Sequence, residues 1–187
     1  MSKHALPGEY SLPDLLCCAA SREVRDNEVV FAGTGLPMVA ILLAQRTHAP
    51  NLKLIFEAGT LDGRPPELPT SVGASCCEIG ASRSSGLNDA FSIAQRGYVD
   101  LGYLGGAEVD QYGNVNTTCI GDYLHSELRL TGSGGNPDIN SFASRISSKL
   151  NTPLYSCEHK VHWQQRTHRL GPVNRIHFHR ISRPLST

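Results

Sequence analysis

The stretch EVVFAGTGLPMVAILLAQR, which runs from Glu28 to Arg46, decides the fold class. Its first five residues, 28–32, are mostly apolar, which predicts a short buried strand. Gly33-Thr34-Gly35 predicts a tight turn, and the apolar run over residues 37–46 predicts a helix with Pro37 in its first turn. The stretch is therefore a strand, a glycine turn and a helix.

The same order of elements continues along the chain. Residues 52–56 predict a second apolar strand, residues 88–96 a helix, and residues 99–104 a third strand. Strands that alternate with helices predict an α/β fold, an open and mainly parallel sheet with helices on both faces. Ligands of such sheets bind at the carboxyl ends of the strands.

Length and composition describe one globular domain. The chain has 187 residues, with 17 basic and 17 acidic side chains and 40% hydrophobic residues, which is long enough to bury a core. No apolar run approaches the roughly 20 residues of a membrane span, and the N-terminal residues lack the apolar stretch of a signal peptide. We therefore expect a cytoplasmic protein without a membrane partner.

The six cysteines are expected to be reduced thiols. Cys17-Cys18 and Cys76-Cys77 are adjacent pairs, and no C-x-x-C spacing occurs, so neither a disulfide framework nor a zinc site is predicted.

A helix is predicted over residues 12–22 with Ser11 as its cap, and Cys18 is expected to pack on the apolar side of this helix.

Glu57 is the main candidate for chemistry. It comes directly after the predicted strand 52–56 and is followed by Ala58-Gly59, so a substrate could approach the backbone closely there. A carboxylate in this place can act as a base, a metal ligand or a nucleophile. The alternative is a strand-end glutamate that faces solvent.

Three glycine-rich stretches could supply backbone N–H groups to an anion. They are Gly33-Thr34-Gly35, the turn that contains Gly106, and the stretch that contains Gly134 and Gly135. Gly33 and Gly35 lack the third glycine of a dinucleotide fingerprint, and no P-loop lysine follows. Such stretches can still direct amides at an oxyanion or a phosphate, although each is locally also a plain turn.

Seven short motifs follow one another along the chain. They are VFAGTGLP (30–37), FEAG (56–59), PTSVG (69–73), GGAEVD (105–110), YGNVNTT (112–118), IGDY (120–123) and TGSGG (131–135). This ordered set resembles the B (beta) subunit of the family I CoA-transferases, and most closely the glutaconate type. The order and the spacing of the motifs agree with that family over residues 23–144.

The resemblance implies a function for Glu57. In that family the glutamate of the E-x-G motif is the nucleophile, which forms a covalent glutamyl-CoA thioester while CoA moves from an acyl-CoA to a free carboxylic acid. Coenzyme A is then a substrate and not a resident cofactor. The resemblance also implies an A-type partner subunit. Ala58 stands where the family usually has Ser or Asn.

Two other functions stay open. An acyl-CoA hydrolase or decarboxylase could use the same fold, and a noncatalytic subunit could bind an A-type partner without completing a site. Retention of Glu57 favours transfer, because some relatives that decarboxylate or hydrolyse replace this glutamate.

The chain changes character at residue 145. Residues 1–144 carry 9 basic and 16 acidic side chains, whereas residues 145–187 carry 8 basic and 1 acidic together with five of the eight histidines. We therefore divide the chain into a CoA-transferase-like domain, 1–144, and a basic tail, 145–187, that is disordered or out of frame with the family. No interior strand is predicted after Ser144, and no metal site or nucleic-acid motif is recognised in the tail.

Overall fold

The computed structural model describes residues 10–109, 115–150, 163–165 and 174–177. Its helices are α1 Leu12–Ser21, α2 Leu36–Arg46, α3 Leu87–Gln95 and α4 Asn136–Phe142, with a short 3-10 helix over Ser75–Glu78. Its strands are β1 Val29–Ala32, β2 Lys53–Phe56, β3 Thr60–Leu61, β4 Arg83–Ser84, β5 Leu101–Gly106, β6 Glu108–Val109, β7 Val115–Asn116, β8 Cys119–Gly121, β9 Ser126–Arg129, β10 Arg145–Leu150, β11 Trp163–Gln165 and β12 Asn174–His177.

The main sheet has the strand order β11-β12-β10-β5-β1-β2-β3-β4. Its five central strands, from β12 to β2, are parallel, and the outer strands β11, β3 and β4 are antiparallel to their neighbours. Two small hairpins, β6-β7 and β8-β9, stand apart from this sheet. The predicted α/β fold with a mainly parallel sheet is confirmed.

The helices cover both faces of the sheet, as predicted. On one face Val30 and Ala32 of β1 pack with α2, whose Met38 and Ile41 are buried. On the other face Phe31 lies in a cluster with apolar residues of α3 and α4. Successive residues of β1 therefore belong to opposite cores, as the alternation of side chains along a strand requires.

Helix α4 lies unusually close to the sheet. A Cβ atom placed on Gly102 of β5 would be 2.4 Å from Cγ2 of Ile139 and 3.3 Å from Cβ of Ala143. At this point the strand itself contributes no side chain between its backbone and the helix. Gly102 therefore sets the height of α4 above β5.

The first helix begins as predicted but turns a different cysteine inward. Ser11 and Asp14 form a reciprocal capping box at the start of α1, which satisfies two of the free N–H groups there. Cys17 is buried and Cys18 is exposed. The prediction that Cys18 packs inward was wrong, because the buried side of α1 includes positions 17 and 21, one turn apart.

The prediction that no interior strand follows Ser144 was also wrong. Strand β10 pairs in parallel with the whole of β5, from Arg145 opposite Leu101 to Leu150 opposite Gly106. The prediction required a run of apolar residues, but Ile146 and the small Ser147 are both buried here. β5 is therefore paired on both sides, with β1 on one and β10 on the other.

The remainder of the predicted tail is described only in part. β12 pairs in parallel with β10, and β11 pairs with β12. Residues 151–162, 166–173 and 178–187 lie outside the described residues. The division into 1–144 and 145–187, and an out-of-frame origin of the tail, stay predictions. Reading the coding DNA in the other two frames tests that origin.

Arg145 joins β10 to a segment that lies far from it in the sequence. Its guanidinium pairs with the Glu28 carboxylate, and the two side chains are only 15% and 14% exposed. Its Nη1 also donates a hydrogen bond to the main-chain O of Glu23 at 3.3 Å. The first residue of the predicted tail is therefore held by the residues that lead into β1.

We expect Arg145→Ala to lower the free energy of unfolding by about 3 kcal/mol, because it removes the nearer of the two arginines that pair with the largely buried Glu28 carboxylate and leaves only the exposed Arg25, whose Nε is 4.0 Å away. Urea denaturation of the purified chain measures this change. Arg96 is exposed, so Arg96→Ala serves as the matched control with an expected change of less than about 0.5 kcal/mol. Equal stabilities of the two variants would contradict a structural role for Arg145.

Candidate active site

A cleft of about 630 Å³ opens at the carboxyl ends of the parallel strands. The chain passes from β1 through α2 to β2 on one side, whereas β5 lies on the other side of β1. Such a reversal leaves a crevice between the strand ends, where α/β proteins bind ligands. The cleft lies there, between the residues that follow β1, β2 and β5.

All of the predicted site residues line this one cleft. They are Glu57, Gly33, Thr34, Gly35, Gly106, Gly134 and Gly135. Among the described residues that line it, Glu57 is the only one with a charged side chain. The remaining walls are glycine backbone, polar uncharged groups and apolar side chains.

Glu57 extends from the end of β2. Its main-chain N–H donates to the O of Ala32 at 3.3 Å, which continues the pairing of β2 with β1. Gly59 has φ of +114°, and a Cβ atom there would be 2.6 Å from the main chain of Gly86. Only glycine therefore permits the turn that follows Glu57.

The Glu57 carboxylate is half-buried and unpaired. It makes no hydrogen bond or ion pair with any residue that the structure describes. Neither oxygen is held by a described donor, so the carboxylate is available to a ligand in the cleft. A free carboxylate that faces a cleft can attack an electrophilic carbonyl carbon or accept a proton.

The turn after β1 presents main-chain donors. Gly35, with φ of +96°, precedes α2 and has no side chain to cap the helix. Within the described residues, the N–H groups of Gly33, Thr34 and Gly35 have no hydrogen-bond partner. These amides, at the positive end of a helix, can stabilise negative charge on a bound group.

Gly135 lies directly against the Glu57 carboxylate. A Cβ atom on Gly135 would be 2.9 Å from Oε1 of Glu57 and 2.5 Å from Cζ of Phe91. The Phe91 ring is itself packed against Phe31, with 5.4 Å between the ring centroids. Gly135 therefore occupies a gap that no side chain could share, between Glu57 and an aromatic pair.

Gly106 has a packing role in addition to its place in the cleft. A Cβ atom there would be 2.4 Å from Cγ1 of Val115, so glycine lets the β6-β7 hairpin approach the end of β5. Residues 110–114, which separate β6 from β7 in the sequence, lie outside the described residues.

Several lining residues were not singled out in the sequence. Asn136 donates from Nδ2 to the main-chain O of Gly105 at 3.1 Å, and Tyr103 donates from its hydroxyl to the O of Ala20 at 2.6 Å. Burial raises the pKa of Tyr103, so this phenol stays protonated and is not a base. The Asn-Pro start of α4 could have drawn attention to Asn136, whereas nothing local marks Tyr103.

The described residues hold neither a metal-binding cluster nor a membrane span. Among residues 10–109 and 115–150, no three His, Cys, Asp or Glu side chains come together in a way that could hold a metal ion. No helix in the described part of the chain is long and apolar enough to cross a membrane.

Cys18 is exposed and Cys77 is buried, so their rates of alkylation are expected to differ. Burial raises the pKa of the Cys77 thiol to about 11, and its Sγ donates to the O of Ser71 at 3.6 Å. At pH 8 only about one part in 10³ of such a thiol is the reactive thiolate. We expect iodoacetamide at pH 8 to alkylate the exposed Cys18 at least about 100-fold faster than Cys77, as followed by peptide mass spectrometry. Comparable rates in the folded protein would contradict this, and unfolding in urea should remove the difference.

Fold and cleft together define an α/β protein with an unpaired carboxylate at the switch point of its sheet. Residues 16–146 match the family model described as coenzyme A transferase. The chain is 38% identical over 138 residues to the B subunit of the 3-oxoadipate CoA-transferase of Pseudomonas knackmussii, a match that covers 73% of this chain and 53% of that protein. It is 37% identical over 145 residues to the B subunit of the glutaconate CoA-transferase of Acidaminococcus fermentans, with the same coverage.

Solved structures agree with these sequence matches. The crystal structure of glutaconate coenzyme A-transferase from Acidaminococcus fermentans superposes with a TM-score of 0.67 at 30% identity, over 75% of this chain and 56% of that one. The decarboxylase AibA/AibB superposes with a TM-score of 0.66 at 29% identity, over 75% of this chain and 59% of that one.

This chain belongs to the coenzyme A transferase family. The resemblance to the B subunits, stated from the sequence motifs, is confirmed. The chain spans about half the length of the curated relatives that it matches.

Proposed function

We propose that this protein is the B-type subunit of a CoA-transferase and that Glu57 carries coenzyme A between two carboxylic acids. The observation that supports this most is the position of Glu57, because its carboxylate is the only charged group among the described residues that line the cleft. A carboxylate nucleophile must be within reach of the substrate, and its oxygens must not be paired with other groups. Glu57 meets both requirements among the described residues.

The reaction proceeds through two exchanges at Glu57. A carboxylate oxygen attacks the thioester carbonyl of the acyl-CoA, the C–S bond breaks, and a mixed anhydride forms while CoA leaves as a thiolate. The thiolate then attacks the Glu57 carbonyl of the anhydride, releasing the first acid and leaving a glutamyl-CoA thioester. A second acid reverses both steps, so that no water or oxidant is consumed.

Each attack places negative charge on a carbonyl oxygen. The candidates to stabilise this charge are the N–H groups of Gly33, Thr34 and Gly35, which have no partner among the described residues, together with the main-chain N–H groups of Gly106, Gly134 and Gly135. Preorganised donors of this kind lower the barrier in acyl transfer, and removal of one costs on the order of 10²-fold in rate.

The second half of the site is proposed to come from an A-type subunit. Curated relatives of this chain are subunits designated B, and this chain spans about half of their length. The acyl-CoA and the free acid are then bound between the two subunits, in the cytoplasm. Dicarboxylic acids of the glutaconate or 3-oxoadipate type are the first substrates to test.

Trapping of the intermediate tests the proposal. The chain is co-expressed with the A-type partner of the Acidaminococcus fermentans enzyme, and the purified complex is incubated with glutaconyl-CoA, 3-oxoadipyl-CoA or acetyl-CoA. Hydroxylamine then converts a glutamyl thioester to a hydroxamate. Peptide mass spectrometry should locate the modification at Glu57, and Glu57→Gln should remove it.

A hydrolase or decarboxylase is the second candidate, and the likeness to the decarboxylase AibA/AibB favours testing it. A transferase needs a second carboxylic acid for turnover, whereas a hydrolase needs only water and a decarboxylase releases CO₂. Turnover of acyl-CoA without an added acid would show that the protein is a hydrolase or a decarboxylase and not a transferase. An assembled complex with neither adduct nor turnover would instead indicate a noncatalytic subunit.

A further inference from the structure

The amide of Asn136 links two walls of the cleft. Its Nδ2 donates to the main-chain O of Gly105 at 3.1 Å. Gly105 lies near the carboxyl end of β5, and Asn136 is the first residue of α4. Because both residues line the cleft, this hydrogen bond lies at the site itself.

The bond does not serve to cap the helix. Asparagine commonly stabilises a helix start by accepting from a main-chain N–H of its own first turn. Here the residue that precedes α4 is Gly135, and the Asn136 side chain donates outward to a different element. Its partner, Gly105, is 31 residues away in sequence.

The position of α4 bears directly on Glu57. Close packing of Ile139 on Gly102 fixes the height of the helix above the sheet, and the Asn136 bond fixes its first turn against the end of β5. Gly135, the residue before Asn136, abuts Oε1 of Glu57. The carboxylate has no hydrogen bond to a described residue, so the main chain at Gly135 is a neighbour that can limit its orientation.

We propose that Asn136 is a positioning residue, which holds Gly135 against Glu57 through its hydrogen bond to Gly105 and so keeps the carboxylate in its attacking orientation. The inference rests on the proposed role of Glu57 as the nucleophile. Loss of the bond frees the first turn of α4, the Gly135 contact loosens, and Glu57 samples orientations that cannot attack.

Single-turnover trapping at Glu57 tests the inference. In the complex with the A-type partner, Asn136→Ala is expected to slow formation of the Glu57 adduct about ten-fold at saturating acyl-CoA, since small misplacements of a reacting group have large effects on rate. The acyl-CoA concentration for half-saturation should stay unchanged. Ser141→Ala is the matched control, because Ser141 is exposed on the same helix and its hydroxyl donates only to the main-chain O of Pro137 within that helix.

A conservative variant separates positioning from folding. Asn136→Gln keeps an amide donor, so its rate should lie closer to that of the wild type than the rate of Asn136→Ala does. A fall of less than three-fold for Asn136→Ala, or equal rates for the Ala and Gln variants, would overturn the inference while leaving Glu57 as the nucleophile. Absence of any adduct in the wild-type complex would instead refute the proposed function, and the inference with it.

Discussion

Glu57→Gln is expected to lower kcat/KM for CoA transfer by at least about 10⁴-fold, a loss of the size seen when a covalent nucleophile is removed. Glutamine has nearly the same shape, so the contact with Gly135 is retained, but a neutral amide cannot attack the thioester. Steady-state transfer between an acyl-CoA and a free acid, measured with the assembled complex, gives the ratio directly.

Glu67→Gln is the control for this substitution. Glu67 is exposed and lies outside the cleft, so the same chemical change there should alter kcat/KM by less than about two-fold. If Glu57→Gln kept a tenth or more of the wild-type activity, covalent catalysis through this residue would be refuted.

Gly135→Ala is expected to lower kcat about 10²-fold, the effect of moving a reacting group by about 1 Å. The added methyl group would lie 2.9 Å from Oε1 of Glu57 and 2.5 Å from Cζ of Phe91. The carboxylate is the more mobile of the two neighbours, because Phe91 is packed on Phe31. Presteady-state formation of the Glu57 adduct should slow together with kcat.

Gly86→Ala is the matched control for this glycine. A Cβ atom there would have nothing within 4 Å, and Gly86 lies outside the cleft, so kcat should stay within about two-fold of the wild type. A Gly135→Ala enzyme with normal kcat would mean that Glu57 is oriented by something other than this contact.

The central strands and helices could be predicted from the sequence, because each has a strong local signal. The apolar run of β1, the glycine turn and the apolar helix α2 follow one another without interruption, and the observed bounds of α2 differ from the prediction by one residue at its start. The short strands β3 and β4 were not predicted. They have two residues each, and pairing between segments that are distant in sequence determines them.

Strand β10 shows where a search for apolar runs fails. Arg145, Ser147 and Ser148 interrupt any such run, yet the segment is a central strand because β5 offers it a full edge of hydrogen-bonding groups. The Glu28 carboxylate compensates the arginine charge. Neither partner is near Arg145 in the chain, so only the folded structure brings them together.

Site residues, like the strands and helices, could be predicted only where the local sequence carries a signal. Glu57 and the glycine turns could be chosen because most of them follow a strand with a clear signal, and the structure brings all of them to one cleft. The contact of Gly135 with Glu57 and the bond of Asn136 to Gly105 depend on how α4 sits on β5. That height depends on packing, which periodicity does not encode.

The residue at position 102 can be used to compare related sequences, because the height of α4 above β5 depends on it. A side chain at position 102 would meet the Ile139 side chain at 2.4 Å, so a chain that carries one and keeps isoleucine at position 139 cannot hold α4 at this distance from the sheet. The residue at position 102 therefore distinguishes two groups of chains. It separates chains able to hold a glycine loop against the strand-end glutamate from chains that must orient that glutamate in another way, although Gly102 itself does not line the cleft.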